Sequence, residues 1–403
     1  MHIGVIADPR SFHTQKWTKG LVEAGVQVTV FSFSSYQLGY VPCVYIPPVR
    51  GEDGNPSYLS FLLSGRRLRQ ALEVHEVDIA NPINITPYGV WADRSGFRPM
   101  GSVAMGADIF EYSPKGIGRD IPLQQLWGQI EPLSPHKRIL SSLKQPLFRR
   151  LVKRALGRSD FITGDNLQLV YAVREWFGIA KEKVHLNRWG IEEELFQAPK
   201  EELERLRTKY GIQTHQKVVL SPRGLKPIYQ GELILDTIAE LLVEGDQDTT
   251  YILFSAGYGI SASIIEKGKQ LAATHPNLYI SWELISREEV CALWNLVDVL
   301  ISAPVYDGYS NALSEGRYVG AIPIVNDIPA HQELIVHGEN GFVVEPFNVP
   351  GLKKQIQEVL AHLDVYKDKM AKTNRSWILE NAHLPTNMKA FVELCKQAVR
   401  LQP

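Results

Sequence analysis

Between Ala303 and Pro346 the chain reads APVYDGYSNALSEGRYVGAIPIVNDIPAHQELIVHGENGFVVEP, with two acids eight residues apart, Asp307 and Glu315. The apolar run DVLISA precedes them and reads as a strand. A turn through Gly308, Tyr309 and Ser310 follows, and a short helix opens near Asn311. The amides of Ser310, Asn311 and Ala312 are then those that a helix start leaves without intrahelical acceptors. Such amides, aided by the helix dipole, bind anions such as phosphate. Asp307 falls on the loop and Glu315 roughly one turn inside the helix, toward the same mouth. A carboxylate accepts hydrogen bonds from sugar hydroxyls more strongly than a neutral group does, so the pair suits a hydroxyl-rich ligand carrying phosphate. The spacing equally fits a turn aspartate and a solvated helix glutamate, and spacing alone leaves both open.

The elements that would position these residues alternate. HIGVIAD, a loop through Pro9 and Ser11, QKWTKGLVEAG and VQVTVFSF read as strand, turn, helix and strand, with Gly25 at the left-handed cap position. VDIANPIN, YGVWADRSG, PMGSVAMGADI, DFITGDN and KVHLNRWGI continue less regularly. After the charged stretch PKEELERLRTKYGI the alternation restarts with KVVLSP, GELILDTIAELLVEG, TTYILFSA, SIIEKGKQLAAT and NLYISWEL. SREEVCALWNLV follows, where Ser286 and Glu289 have the spacing of a capping box. The reading is α/β: residues 1–190 and 191–375 form two domains, and 376–403 a C-terminal helix returning to the first. Two doubly wound domains place a crevice between the C-terminal ends of their sheets, where open α/β sheets bind ligands.

Composition narrows the classes. A chain of 403 residues with 44% apolar and 22% charged residues builds cores, and at roughly 150 residues per domain it holds two or three domains. Lys plus Arg at 43 against Asp plus Glu at 44 gives no net-charge argument for nucleic acid. Cys43, Cys291 and Cys395 lie far apart, which argues against a disulfide framework or structural zinc and for a reducing compartment. With no basic leader and no apolar run of about 18 residues, the expected location is cytoplasmic.

The 303–346 segment resembles the donor-site signature of retaining glycosyltransferases of family four, which have the GT-B fold of two facing Rossmann-like domains with a central crevice. The family shows an acid, seven residues and a Glu, then a Gly-x-Pro strand and an x-Gly-x-Asn-Gly turn. Here these are Asp307 to Glu315, Gly320 to Pro323, and Gly338-Glu339-Asn340-Gly341. FHTQKWTKGLVEAGVQVTVF, YGVWADRSGFRPMGSVAMGAD, FITGDN and VHLNRWGIEEELF are also family-like. The resemblance implies that Glu315 holds the nucleotide ribose. It implies that Asp307, with the amides of Gly308, Tyr309, Ser310, Asn311 and Ala312, holds the donor sugar and distal phosphate. Asp307 stands where Glu is commoner, and Met105 where many relatives have His or Trp. The family also carries an Arg and a Lys directed at the diphosphate after the strand matched by KVVLSP, and Arg223 and Lys226 take those places. In the first domain, His13 in the loop after the first strand and Asp108 in MGAD are candidates on the acceptor side. The implied reaction moves a sugar from a UDP- or GDP-sugar to a hydroxyl of a carbohydrate or glycoconjugate with retention of configuration. No metal or other cofactor is implied.

Three signals compete. Asp246-Gln247-Asp248 is a D-x-D of the kind that holds a divalent metal, at the wrong end of the sheet, where it reads as a solvated turn. Gly257-Tyr258-Gly259 with Ala262 and a later Glu283 resembles a dinucleotide fingerprint. It supports a rival reading, an NAD(P)-dependent oxidoreductase, and a non-catalytic nucleotide-sugar-binding module is a second. The segment 136–158 is basic, with Lys137, Arg138, Lys144, Arg149, Arg150, Lys153, Arg154 and Arg158. Ile139, Leu140, Leu143, Phe148, Leu151, Val152 and Leu156 give it an apolar face, for an anionic membrane or for the protein core.

Overall fold

The computed structural model describes residues 1–110, 135–255 and 259–401, the side chains of residue 107 and residues 135–145 excepted. The chain divides into two compact units, Met1–Trp189 with Leu384–Pro403, and Gly190–His383. Residue 376, where the sequence reading begins the returning segment, lies inside the helix Leu363–Asn381, and the segment belonging to the first unit starts one helix later, at Leu384.

The first unit holds β1 (His2–Ile6), β2 (Gln27–Ser32), β3 (Cys43–Tyr45), the short hairpin β4 (Gly51–Glu52) and β5 (Asn55–Pro56), β6 (Ile79–Pro82), β7 (Gly101–Ala104), β8 (Phe161–Gly164) and β9 (Val184–Leu186). A parallel sheet runs β3-β2-β1-β6 and a second runs β7-β8-β9. Isolated parallel bridges, Ala80 to Met100 and Ile83 to Val103, join them at β6 and β7. Apolar residues fill β1 because helices cover both faces of the sheet. Ile3 and Val5 face one cluster with Trp17 and Phe391, and Ile6 and Phe31 face another with Leu72 and Trp91. Phe391 belongs to the C-terminal helix Leu384–Arg400, so the last segment completes the core of the first unit.

The second unit holds β10 (Lys217–Ser221), β11 (Thr249–Phe254), β12 (Leu278–Ser281), β13 (Val299–Ser302), β14 (Ile322–Asn326) and β15 (Phe342–Val344). They form a six-stranded sheet in the order β12-β11-β10-β13-β14-β15, every pair parallel. This is the Rossmann order, and its direction reverses between β10 and β13. Val219 and Ile301 point into one buried cluster, and Leu220 and Leu300 into the other. The loops leaving β10 and β13 therefore emerge side by side at the switch point, where such sheets bind ligands.

Two glycines set how closely the helices that follow can lie. A Cβ on Gly231, at the start of helix Gly231–Val243, would sit 2.2 Å from the Leu225 backbone. Helix Asn311–Val319 lies on β13 at Gly316, whose Cβ would come within 2.9 Å of Leu300. The capping box is half formed. Ser286 Oγ accepts from the Glu289 amide at 3.2 Å, but the Glu289 carboxylate accepts instead from Tyr210 Oη at 2.6 Å and Lys209 Nζ at 2.5 Å.

Candidate functional site

Arg223, two residues past β10, donates from Nη2 to Asp307 Oδ1 at 2.8 Å, joining the two loops of the switch point. The Gly308 amide donates to the same oxygen at 3.0 Å. The guanidinium lies over the Tyr229 ring, 4.7 Å from its centroid. Burial opposes its charge, but the neighbouring carboxylate and phenol more than offset this and raise its proton affinity above the ordinary range. Arg223 Nε and Asp307 Oδ2 are buried without a hydrogen-bond partner among the described residues. Buried polar atoms are almost always paired, so orphans on adjacent loops mark groups shaped for something else.

Other side chains lock the loops together. The Val305 amide donates to the Ile228 carbonyl at 2.9 Å. Gln230 adopts a left-handed backbone at φ 50°. From there its side chain donates to the Ala303 carbonyl at 3.1 Å and accepts from the Phe347 amide at 2.8 Å. Lys226 caps the short helical turn Pro227–Tyr229, and its carbonyl accepts from the Tyr229 and Gly231 amides at 3.0 and 3.1 Å. Its ammonium makes no ion pair among the described residues.

Ser310 is the N-cap of helix Asn311–Val319, accepting from the Leu313 amide at 3.3 Å. The amides of Asn311 and Ala312 lie in the first turn of that helix, the end at which helices bind anions. Tyr309 Oη accepts from Ser314 Oγ at 2.5 Å, pinning the turn onto the helix. Glu315 is buried at 4% exposure. Its two oxygens are engaged, one by Arg287 Nη1 at 2.8 Å and the other by Trp294 Nε1 at 3.0 Å. A carboxylate has about four lone-pair sites, so capacity for a ligand hydroxyl remains. Glu315 is thus not the solvated helix acid that its spacing also allowed.

Reading the sequence missed Arg287, Trp294, Gln230 and His331. His331 is fully buried after β14, with Nδ1 against the Asn326 carbonyl at 2.9 Å and Nε2 without a partner. Burial lowers its proton affinity, although Asp307 acts in the opposite sense. The imidazole is therefore neutral at neutral pH and brings a third orphan polar atom to this end of the sheet. Arg287 lay within a segment read as a helix cap, and no local pattern signals that its guanidinium reaches Glu315.

The first-unit candidates behave differently. His13 is exposed at the start of helix Phe12–Glu23, its ring edge-on to Trp189 at 5.4 Å between centroids. Asp108 is buried, accepting from the Ile85 amide at 2.6 Å and the Met105 amide at 3.0 Å. It shapes the loops after β6 and β7. Burial raises its pKa to about 6, against the opposing pull of those backbone amides. A folded-state value above the unfolded one means that the native state holds the proton longer, so this group's contribution is most favourable below about pH 4 and is lost as pH rises through about 6. In urea titrations across that range, the stability of the native chain relative to Asp108→Asn falls. A flat difference from pH 4 to 7 refutes the assignment.

Asp246 accepts from the Tyr251 hydroxyl at 2.6 Å and from the Asp248 amide at 3.1 Å, just before β11 at the N-terminal end of the sheet. Gly257 and Tyr258 lie outside the described residues, and Gly259 has φ 86°. The turn they belong to follows β11, which does not flank the reversal between β10 and β13.

Residues 202–377 match the family described as Glycosyl transferases group 1. No curated protein matches the chain in sequence. Solved structures match over essentially its whole length. A glycosyltransferase from Rickettsia africae is 14% identical at TM-score 0.73, with 100% of this chain and 99% of that one covered. Sucrose-phosphate synthase from Thermosynechococcus elongatus is 12% identical at TM-score 0.76, with 100% of both chains covered. Anabaena HepE in complex with UDP-glucose is 14% identical at TM-score 0.72, with 98% and 100% covered. At these identities the likeness establishes the fold, GT-B, while the family match spans Arg223, Lys226 and the whole 307–315 segment. Residues 202–377 thus match the model of the glycosyl transferases group 1, and the chain as a whole has the GT-B fold.

Proposed function

We propose that the chain takes a UDP- or GDP-sugar and transfers the sugar, with retention, to a hydroxyl of a carbohydrate or glycoconjugate, in the cytoplasm and without a metal. The observation that carries this is the Arg223–Asp307 pair at the switch point, beside the amides of a helix start and with buried atoms unpartnered. HepE in complex with UDP-glucose supports a uridine donor. In this reading Arg223, Lys226 and the amides stabilise the charge that builds on the departing diphosphate. Asp307 and Glu315 accept from the hydroxyls of sugar and ribose. The bond from the sugar's anomeric carbon to the phosphate oxygen breaks as the acceptor oxygen attacks the same face, and the departing phosphate takes the acceptor's proton. The reading also includes peripheral membrane contact through the basic segment 136–158.

A ligand that binds only the folded chain raises its melting temperature, by an amount set by its concentration over Kd. UDP or GDP and their sugars raise it, and slow donor hydrolysis releases the free diphosphate. Stabilisation by NAD(P) alone contradicts the proposal, and donor binding with no hydrolysis or transfer favours the non-catalytic module.

A further inference from the structure

The apolar face that the sequence offered to a membrane is, in its described part, turned inward. Val152 and Leu156 are fully buried and Phe148 rests on the Tyr58 ring at 4.4 Å between centroids. Three leucines nearby face outward instead: Leu59 at 46%, Leu63 at 62% and Leu147 at 56% exposure. Leu59 and Leu63 are four apart on helix Tyr58–Leu63 and share one of its faces. The Tyr58–Phe148 contact sets Leu147 beside that helix, and Arg94 Nε donates to the Leu62 carbonyl at 3.3 Å.

Among the described residues, the exposed charges that flank these leucines in sequence have one sign. Arg66, Arg67, Arg94, Arg149, Arg150 and Lys153 are exposed and join no ion pair among the described residues. Asp93 lies buried beneath, paired with Arg98, Arg154 and Arg158. No acid occurs from Gly54 to Leu72 or from Pro135 to Ser159, although the whole chain carries a formal charge of -1. Among the described residues no helix is long and apolar enough to cross a membrane.

We propose that the first unit docks on an anionic lipid surface through this face, the leucines entering the headgroup boundary and the arginines and Lys153 holding lipid phosphates. This refines the peripheral-contact reading by replacing Phe148, Val152 and Leu156 with Leu59, Leu63 and Leu147 as its apolar contacts. Separate aliphatic tips in a cationic field fit a fluid anionic surface, where each cation is worth about fivefold in partitioning and salt weakens the attraction.

The test is co-sedimentation of the full chain with phosphatidylcholine vesicles, with and without phosphatidylglycerol, at low and high salt. The protein should pellet with anionic vesicles at low salt and be released by salt. Leu59→Gln/Leu63→Gln/Leu147→Gln and Arg149→Glu/Arg150→Glu should each lower partitioning more than about tenfold. Melting temperature and donor hydrolysis in solution stay unchanged in both variants, so loss of hydrolysis in the native chain would indict the donor reading and not the docking face. No pelleting, or pelleting that neither variant weakens, overturns the proposal. So does a leucine variant that dissolves a dimer while vesicle binding persists, since a second copy is then the occupant.

Discussion

Arg223→Ala lowers kcat for sugar transfer by about 10²- to 10³-fold while donor Kd changes by less than about tenfold. That is the scale of losing one fixed donor to charge that develops in the transition state. The guanidinium is held by Asp307 on one edge and by Tyr229 beneath, and its Nε has no partner. A group already fixed needs no reorganisation when the diphosphate departs, which is why its effect falls on turnover. Arg223→Lys restores little, because an ammonium cannot satisfy Asp307 and a phosphate oxygen with one planar fork. Removing Arg223 also strands the Asp307 carboxylate, so the variant is to be compared with Arg223→Ala/Asp307→Asn. If kcat recovers when the stranded charge is removed, Arg223 acts through Asp307 alone. Equal losses in kcat and donor affinity likewise refute a role in the departure step.

Glu315→Ala destabilises the second unit by about 3–5 kcal/mol, the usual cost of leaving one member of a buried ion pair alone. Arg287 loses its carboxylate and the Trp294 indole N–H its acceptor. As a test of ribose binding, Glu315→Ala therefore confounds binding with stability. Glu315→Gln keeps the shape and one acceptor. It should lower donor affinity about 10- to 100-fold through a lost charge-assisted hydrogen bond, with a smaller fall in melting temperature. Urea unfolding measures the first effect and calorimetric titration of donor the second. An Ala variant of native stability removes the structural role, and a Gln variant of native affinity removes the ribose role.

The strands and helices were legible because each carries its own signal: continuous apolar runs such as KVVLS and DVLIS, left-handed caps such as Gly25, and cap residues such as Ser286 and Ser310. Which loops meet was not, since sheet order is a long-range property and Arg223 and Asp307 are 84 residues apart. The motif supplied residues 307–315, but the partners that give them their chemistry come from other elements. Arg287 sits on the helix after β12, Gln230 after β10 and His331 after β14, each placed by parallel pairing that no local pattern records. Asp108 was named only as an acceptor-side candidate, and that the amide of Ile85, 23 residues away, binds its carboxylate is recorded by no local pattern. For the helix Pro135–Arg158 the sequence left membrane and core both open, and in its described part Val152 and Leu156 serve the core.

The central claim is that the diphosphate of an activated sugar is held at the reversal between β10 and β13, and a crystal structure with UDP-glucose or a GDP-sugar tests it most directly. The account predicts phosphate oxygens within about 3 Å of the Arg223 guanidinium and of the amides at Asn311 and Ala312. It is contradicted if the diphosphate lies elsewhere, above all beside Gly259, with the Arg223–Asp307 pair left untouched.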